Sequence, residues 1–159
     1  MLKQVLKSIN YLFVMKKEIK LPFLKYKSIN KNLINFFNEI PSETSINERL
    51  FLYAFSKEIA LDGNIIELGP FLGGTTRAIA KGIEDDQSSK QKRLITIDKF
   101  SDYYSLNEFT QFRLDIDKKF IKNNDVEFIE IFKAFHKNHS YNKYIKTISA
   151  KIPDSPSEK

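Results

Sequence analysis

The sequence predicts an α/β fold built on a parallel sheet of about three strands, preceded by a helical N-terminal extension. Three observations support this prediction. Short apolar runs alternate with helical patterns from residue 45 onwards, an order that is typical of parallel βαβ units. A glycine-rich turn follows the first apolar run, and 159 residues with 42% hydrophobic content are enough for one core. We therefore divide the chain into an extension (1–44) and an α/β domain (45–159).

The extension carries two helical patterns. Residues 2–17 place six apolar side chains on one stripe, with the lysines mostly off that stripe, which predicts a basic amphipathic helix. Such a helix either packs on its own domain or lies on an anionic membrane surface, so residues 1–20 are the candidate for peripheral membrane contact. A second apolar-spaced segment, 29–37, leads to Pro41.

The α/β domain opens on a capping box. In Ser45-Ile46-Asn47-Glu48 the serine hydroxyl and the glutamate carboxylate can each satisfy an unpaired backbone N–H. The helix is predicted to end at Asp62-Gly63, where glycine can take a left-handed conformation. The side chains that we expect it to bury are Leu50, Phe51, Ala54, Phe55 and Ile59.

The remaining elements follow in alternation. We predict strands at Asn64–Leu68, at Arg93–Ile97 (ending in Asp98) and at Tyr144–Ile152. Between them we predict a helix over 75–83 with Thr76, Ile79, Ala80 and Ile83 inward, a polar surface loop from Glu84 to Lys92, and helical segments near 105–122 and 125–138. His136 and His139 could share one face of a helix, but no third metal ligand is close to them, so we expect no metal site there. Both histidines are expected at the surface.

Composition narrows the classes of function. The absence of cysteine excludes disulfides, thiol catalysis and Cys-ligated zinc, and it fits a cytoplasmic protein. No run approaches about 18 consecutive apolar residues, so no transmembrane helix is predicted. The net charge of +6 comes mostly from lysines spread along the chain, whereas nucleic-acid binders concentrate their basic residues on one face. We therefore expect no nucleic acid as a partner.

The stretch IIELGPFLGGTT, residues 65–76, holds three of the five glycines. A P-loop would place Lys at position 75, where this chain has Thr75, so the cation that bridges the outer phosphates is missing. The dinucleotide turn would place glycine where Phe71 lies, against the pyrophosphate. A tight turn that binds no ligand remains an alternative, with Asp98 merely capping the segment after its strand.

The same stretch, from Glu67 to Thr76, resembles motif I of the class I S-adenosylmethionine-dependent methyltransferases. It is most similar to a bacterial subgroup that reads roughly E-x-G-x-x-x-G-G-[ST]-T and includes sugar and macrolide O-methyltransferases; the commoner middle glycine of the family falls at Phe71. Leu94–Phe100 is similar to the second-strand motif of that family, in which an acid closes the strand. The resemblance covers about residues 45–152 and implies a partial Rossmann-like sheet.

The resemblance implies S-adenosylmethionine as the cofactor and a small-molecule substrate. Glu67 would orient the ammonium group of the ligand, the glycines would give backbone access, and Asp98 would accept the ribose hydroxyls. The candidate cofactor-binding residues are Glu67, Gly69, Phe71, Gly73, Gly74, Thr75 and Asp98. No catalytic residue and no metal ligand is identified; a divalent metal used by complete members of the family would need ligands that this chain lacks.

The chain offers candidates for the first three strands of such a sheet, so we expect the N-terminal half of a methyltransferase-like domain. Ile65–Leu68 would then form an exposed apolar edge, through which two copies could associate. The leading hypothesis is a methyltransferase-like protein that O-methylates a sugar or secondary metabolite, in a truncated or inactive form, with enzymatic activity left open. The alternative is a non-catalytic interaction module that docks a partner or anionic membrane through the basic helix and the open sheet edge.

Overall fold

The computed structural model describes residues 31–59, 62–88, 91–101, 121–122 and 125–151. The helices in these ranges are α1 (Lys31–Asn38), α2 (Ile46–Glu58), α3 (Gly74–Glu84), α4 (Phe128–His136) and a 3-10 helix (Ser140–Tyr144). The strands are β1 (Gly63–Leu68), β2 (Lys92–Asp98), β3 (Ile121–Lys122), β4 (Asp125–Val126) and β5 (Ile145–Ser149). The helix predicted over 2–17 lies outside the described residues.

Three of the strands form a parallel sheet in the order β1-β2-β5. α3 connects β1 to β2, and α4 with the 3-10 helix precedes β5, so the predicted α/β class with a partial Rossmann-like sheet is confirmed. β1 lies at the edge of the described sheet, and its Ile66 and Leu68 are 62% and 60% exposed. The expected exposed apolar edge is therefore present at these two side chains.

The core lies on the face of the sheet that carries Ile65 and Leu94, which are paired in register. α3 packs here because its apolar residues recur at helical spacing on one side. Its four predicted inward residues, Thr76, Ile79, Ala80 and Ile83, are all buried. Tyr141 of the 3-10 helix joins the same cluster, so α3 is held between the sheet and the segment before β5.

α1 joins this core through α2 and α3. Phe37 is fully buried and clusters with Leu50 and Tyr53 of α2 and with Ala78 of α3. Its ring lies 5.7 Å from that of Tyr53, centroid to centroid. The helical pattern before Pro41 is thus explained by packing on the α/β domain.

The capping box at the start of α2 is confirmed. The backbone N–H of Ser45 donates to Glu48 Oε2 at 2.7 Å, and the N–H of Glu48 donates to Ser45 Oγ at 3.3 Å. The hydrogen bond from the Ser45 backbone lowers the pKa of Glu48. The predicted end was wrong: α2 stops at Glu58, and Gly63 opens β1 with φ +131°.

The predicted buried face of α2 was correct for Leu50 and Ala54 and wrong for Phe51, Phe55 and Ile59, which are only half-buried. The cause is a close crossing with α3 at Gly82. A Cβ there would overlap Ser56 Oγ and the Tyr53 carbonyl oxygen, so α2 turns the face of Tyr53 and Ser56 towards α3. The residues of α2 that are buried are Arg49, Leu50, Tyr53, Ala54 and Ser56.

The predicted helices near 105–122 and 125–138 need correction at their ends. Ile121–Lys122 and Asp125–Val126 form a short antiparallel pair, and α4 occupies only Phe128–His136. Asn123 and Asn124, which separate the two pairs in the sequence, are residue types that favour turns over helices. Residues 105–120 of the first predicted helix lie outside the described part of the chain.

The loop predicted from Glu84 to Lys92 is shorter at both ends, and Glu84 is the last residue of α3. Lys92 opens β2 and is only 5% exposed. Its ammonium donates to the Ser56 carbonyl at 2.9 Å and pairs with Asp86 at 2.7 Å. The hydrogen bond ties the end of α2 to the start of β2, and the ion pair ties the loop after α3 to the same lysine. The polar run in the sequence does not indicate either contact.

No helix in the described part of the chain is both long enough and apolar enough to cross a membrane.

Candidate functional site

The glycine turn joins β1 to α3 at the carboxyl edge of the sheet. The Gly69 N–H donates to the Ile97 carbonyl at 3.0 Å, and the Gly73 N–H donates back to Pro70 at 2.8 Å. Phe71 takes a left-handed φ of +54°, and its ring packs against Phe128, with centroids 6.1 Å apart. The bulky Phe71 thus contributes to the core beside the turn.

Glu67 is held at the N-terminus of α3. Its carboxylate accepts hydrogen bonds from the hydroxyls of Thr75 and of Thr76, the latter at 2.6 Å. Burial raises the pKa of Glu67; the two hydroxyls oppose that shift, and the charge of Asp98 reinforces it. The Glu67 carboxyl group therefore already occupies the end of the helix that would attract a phosphate.

The three glycines of the turn differ in what surrounds them. Gly73 has φ +92°, and a Cβ there would overlap His136 Nε2 and approach Phe132 Cε2 to 2.8 Å. A Cβ on Gly74 would lie 2.5 Å from Ser42 Cβ. Packing alone thus accounts for glycine at both positions. Gly69, with φ +70°, has no atom within 4 Å of its Cβ position and is the glycine of the turn that leaves room for a ligand.

Asp98 closes β2 beside Gly69 and is 4% exposed. Its Oδ1 accepts the Phe100 N–H at 2.9 Å, so the predicted capping of the next segment does occur. Its Oδ2 is buried and has no hydrogen-bond partner among the described residues. A buried carboxylate oxygen without a hydrogen-bond donor is costly. Capping therefore accounts for Oδ1 of Asp98 but not for the burial of Oδ2.

Glu67 lies one residue before the end of β1, Asp98 ends the adjacent parallel strand β2, and the two are near enough to interact electrostatically. Together with the open turn at Gly69 they form an acidic edge that suits ligand hydroxyls or a cationic group. Among the described residues no group of three or more His, Cys, Asp or Glu side chains could hold a metal ion. The predicted cofactor-binding residues thus lie around the glycine turn. Three of them, Phe71, Gly73 and Gly74, pack against the core side of that turn.

A buried cluster of polar side chains lies on the core side of the glycine turn. Arg77 pairs with Glu39 at 2.5 Å and donates through Nε to the Tyr141 hydroxyl at 3.1 Å. That hydroxyl lies 3.1 Å from His136 Nδ1. Because it already accepts from Arg77, the hydroxyl can donate its own proton to the imidazole, which places the ring proton on Nε2 beside Gly73.

The expectation of a surface position was wrong for His136, which is 1% exposed. Burial lowers the pKa of His136 to about 3, and the charges of Arg77 and His139 act in the same direction. The ring is therefore neutral near pH 7. A signal was present in the sequence: Phe128, Phe132 and His136 recur every four residues, which places the histidine on the apolar stripe of α4.

No model of a known protein family matches the chain, and no curated protein proves similar to it.

Proposed function

We propose that the carboxyl edge of the sheet binds S-adenosylmethionine and that the chain is a methyltransferase-like protein of the cytoplasm acting on a small molecule. The observation that carries the proposal is the unpartnered Oδ2 of the buried Asp98 beside the open turn at Gly69. This oxygen needs a donor, and a ribose diol supplies two hydroxyls to a carboxylate. The resemblance to sugar and macrolide O-methyltransferases indicates a sugar or secondary metabolite as the methyl acceptor.

Each residue of the edge has a task in this proposal. Asp98 accepts the ribose hydroxyls, and Gly69 lets the ligand approach the backbone. The Thr75 hydroxyl donates to Glu67 and holds that carboxyl group at the start of α3. Glu67 orients the ammonium group through water. The cofactor would supply the transferable methyl group; no residue of the chain is assigned to catalysis.

Electrostatics favour this ligand over a nucleotide phosphate. S-adenosylmethionine brings a sulfonium and an ammonium cation to an edge where Glu67 and Asp98 lie at the carboxyl ends of neighbouring strands. A diphosphate at the same place would face the Glu67 carboxylate, which already accepts both threonine hydroxyls. Both hydroxyls are thus already used and cannot donate to a phosphate, which disfavours a diphosphate at this end of the helix.

Calorimetry with S-adenosylmethionine and S-adenosylhomocysteine tests the proposal. Asp98→Asn keeps the shape of the side chain and removes its charge, and we expect it to weaken binding by about tenfold or more, as for a lost charged hydrogen bond. Asp62→Asn is the matched control, because Asp62 precedes β1 at the opposite edge of the sheet and accepts the Gln91 N–H. No heat at millimolar ligand from folded protein, or equal binding by Asp98→Asn and the wild type, would contradict the proposal.

A second candidate function is a non-catalytic interaction module that docks a partner through the edge strand. The exposed Ile66 and Leu68 of β1 favour it, since apolar edges invite pairing. Sedimentation over a wide concentration range should then reveal self-association that Leu68→Lys abolishes and Lys146→Gln does not. A monomer at every concentration removes the homo-oligomer. The membrane alternative, carried by residues 1–20, is tested by sedimentation with anionic liposomes after deletion of those residues.

A further inference from the structure

Two phenylalanines at the carboxyl edge of the sheet have a left-handed backbone. Phe71, in the glycine turn, has a φ of +54°, and Phe100, two residues after the end of β2, has a φ of +52°. Among the described residues these are the two with positive φ that are not glycine. Such a residue avoids this conformation by about 5- to 30-fold at equilibrium, so contacts elsewhere must hold both loops in it.

Two aromatic residues of α4 supply these contacts. The Phe71 ring packs on Phe128 with centroids 6.1 Å apart, and the Phe100 ring packs on Phe132 with centroids 5.3 Å apart. Phe128 and Phe132 are each 1% exposed and lie on the same side of α4, because they are four residues apart. Burial of the rings offsets the cost of the strained backbone.

Phe132 contacts both loops. Besides packing on Phe100 it lies against the glycine turn, where a Cβ on Gly73 would approach Phe132 Cε2 to 2.8 Å. Its ring centroid is 4.6 Å from that of His136, which would overlap the same Cβ. One side chain of α4 therefore fixes where the glycine turn lies relative to the segment that follows β2.

The contact with Phe100 extends to the candidate site. The Phe100 N–H donates to Asp98 Oδ1 at 2.9 Å. This hydrogen bond sets the orientation of the Asp98 carboxylate and thereby the position of Oδ2. If Phe100 left the left-handed conformation, its N–H would turn away and the carboxylate could rotate. Phe132 thus acts on Asp98 through Phe100.

We propose that Phe132 is a positioning residue of the ligand site. Through Phe100 and Gly73 it holds the Asp98 carboxylate and the turn at Gly69 in the arrangement that binds the ligand. Its effect on ligand affinity rests on the proposed function, whereas its effect on the two loops does not. A spacing pattern marks Phe132 as a core residue only, because the loops that it joins are distant in the sequence.

Calorimetry with S-adenosylhomocysteine tests the effect on affinity. Phe132→Leu removes the ring and keeps an apolar side chain in the core. We expect it to weaken binding about fivefold or more, because Phe100 is then free to leave the binding conformation. Phe37→Leu is the matched control, since Phe37 is equally buried but packs in a different cluster, with α2 and α3. It should bind like the wild type. Circular dichroism establishes that each variant is folded.

A double-mutant cycle tests the route through Phe100. Glycine adopts a positive φ without steric cost, so Phe132→Leu should weaken binding less when Phe100→Gly is also present. Strictly additive effects of the two substitutions on affinity would overturn this route.

The conformation of Phe100 is measured without ligand. A strong nuclear Overhauser effect between the amide and α protons of one residue marks a positive φ. We expect it at Phe100 in the wild type and in Phe37→Leu, and we expect Phe132→Leu to lose it. A signal that persists in Phe132→Leu would overturn the positioning.

The two measurements separate this proposal from the cofactor. If the wild type binds S-adenosylhomocysteine and Phe132→Leu binds it equally well, or if Phe37→Leu weakens binding to the same extent, the positioning role is rejected and the cofactor is kept. If the wild type does not bind but Phe100 loses its signal in Phe132→Leu, the cofactor is rejected and the control of the loop by Phe132 is kept.

Discussion

Gly73→Ala tests whether packing against His136 fixes the glycine turn. The new Cβ would meet two obstacles. The left-handed backbone, with φ +92°, costs a residue other than glycine about 1–2 kcal/mol. Overlap with His136 Nε2 and with Phe132 Cε2 at 2.8 Å adds roughly 1–3 kcal/mol, the usual cost of overpacking. The sum, about 2–5 kcal/mol, is a large part of the ~5–15 kcal/mol by which domains are stable.

Gly69→Ala is the matched control. Gly69 also has a left-handed φ, +70°, but nothing lies within 4 Å of its Cβ position, so only the backbone cost of about 1–2 kcal/mol applies. Urea unfolding followed by circular dichroism measures both free energies. The excess cost of Gly73→Ala should fall by roughly 1 kcal/mol or more when His136→Ala is added, because the two positions are in contact. Equal costs for the two glycine variants, or strict additivity with His136→Ala, would refute the reasoning.

Two further predictions concern the buried histidine and the start of α2. Burial lowers the pKa of His136 from 6.5 to about 3. Between these two pH values the unfolded chain therefore binds one proton more than the folded chain does. The free energy of unfolding should then rise with pH by up to about 1.4 kcal/mol per pH unit. Unfolding free energies at pH 4 to 7 should therefore slope less in His136→Phe than in the wild type, and parallel slopes would contradict the assignment. Ser45→Ala removes the capping hydroxyl and should cost about 1 kcal/mol, measured by the same unfolding. Ser45→Asn keeps a side-chain oxygen that can accept the Glu48 N–H and serves as control; an equal cost in both variants would argue against the cap.

The strands and the α3 helix could be predicted because each is encoded within its own segment. Asn64–Leu68 and Arg93–Ile97 are short apolar runs bounded by turn residues, and both became strands. The capping box at Ser45 is likewise local, since its two hydrogen bonds span three residues. Their alternation with helices was enough to fix a parallel sheet.

The errors arose where a distant contact decided the outcome. The face of α2 depends on Gly82, which lies more than twenty positions away and allows α3 to approach. The burial of Lys92 depends on Ser56 and Asp86, which the fold brings to it. The spacing of apolar residues predicts that a segment is helical. It does not determine which side of that helix packs against a second helix that is distant in the sequence.

The candidate site was predicted in position and only partly in role. Glu67, Gly69 and Asp98 lie at the carboxyl edge, as a strand-turn-helix pattern requires. Gly73 and Gly74, expected to give a ligand access, instead face His136 and Ser42. A glycine needed for internal packing and one needed for ligand approach look the same in a sequence; only the atoms opposite each α-carbon distinguish them.

The central claim is that a ligand binds at Asp98 and Gly69. The most direct measurement is a titration of ¹⁵N-labelled protein with S-adenosylhomocysteine, followed by amide chemical shifts. The account predicts progressive shifts for Gly69, Thr75 and Phe100, whose N–H groups lie along the carboxyl edge, and none for Gly63 at the opposite edge. Unchanged amides at Gly69 and Phe100 in saturating ligand, or shifts confined to other parts of the chain, would contradict it.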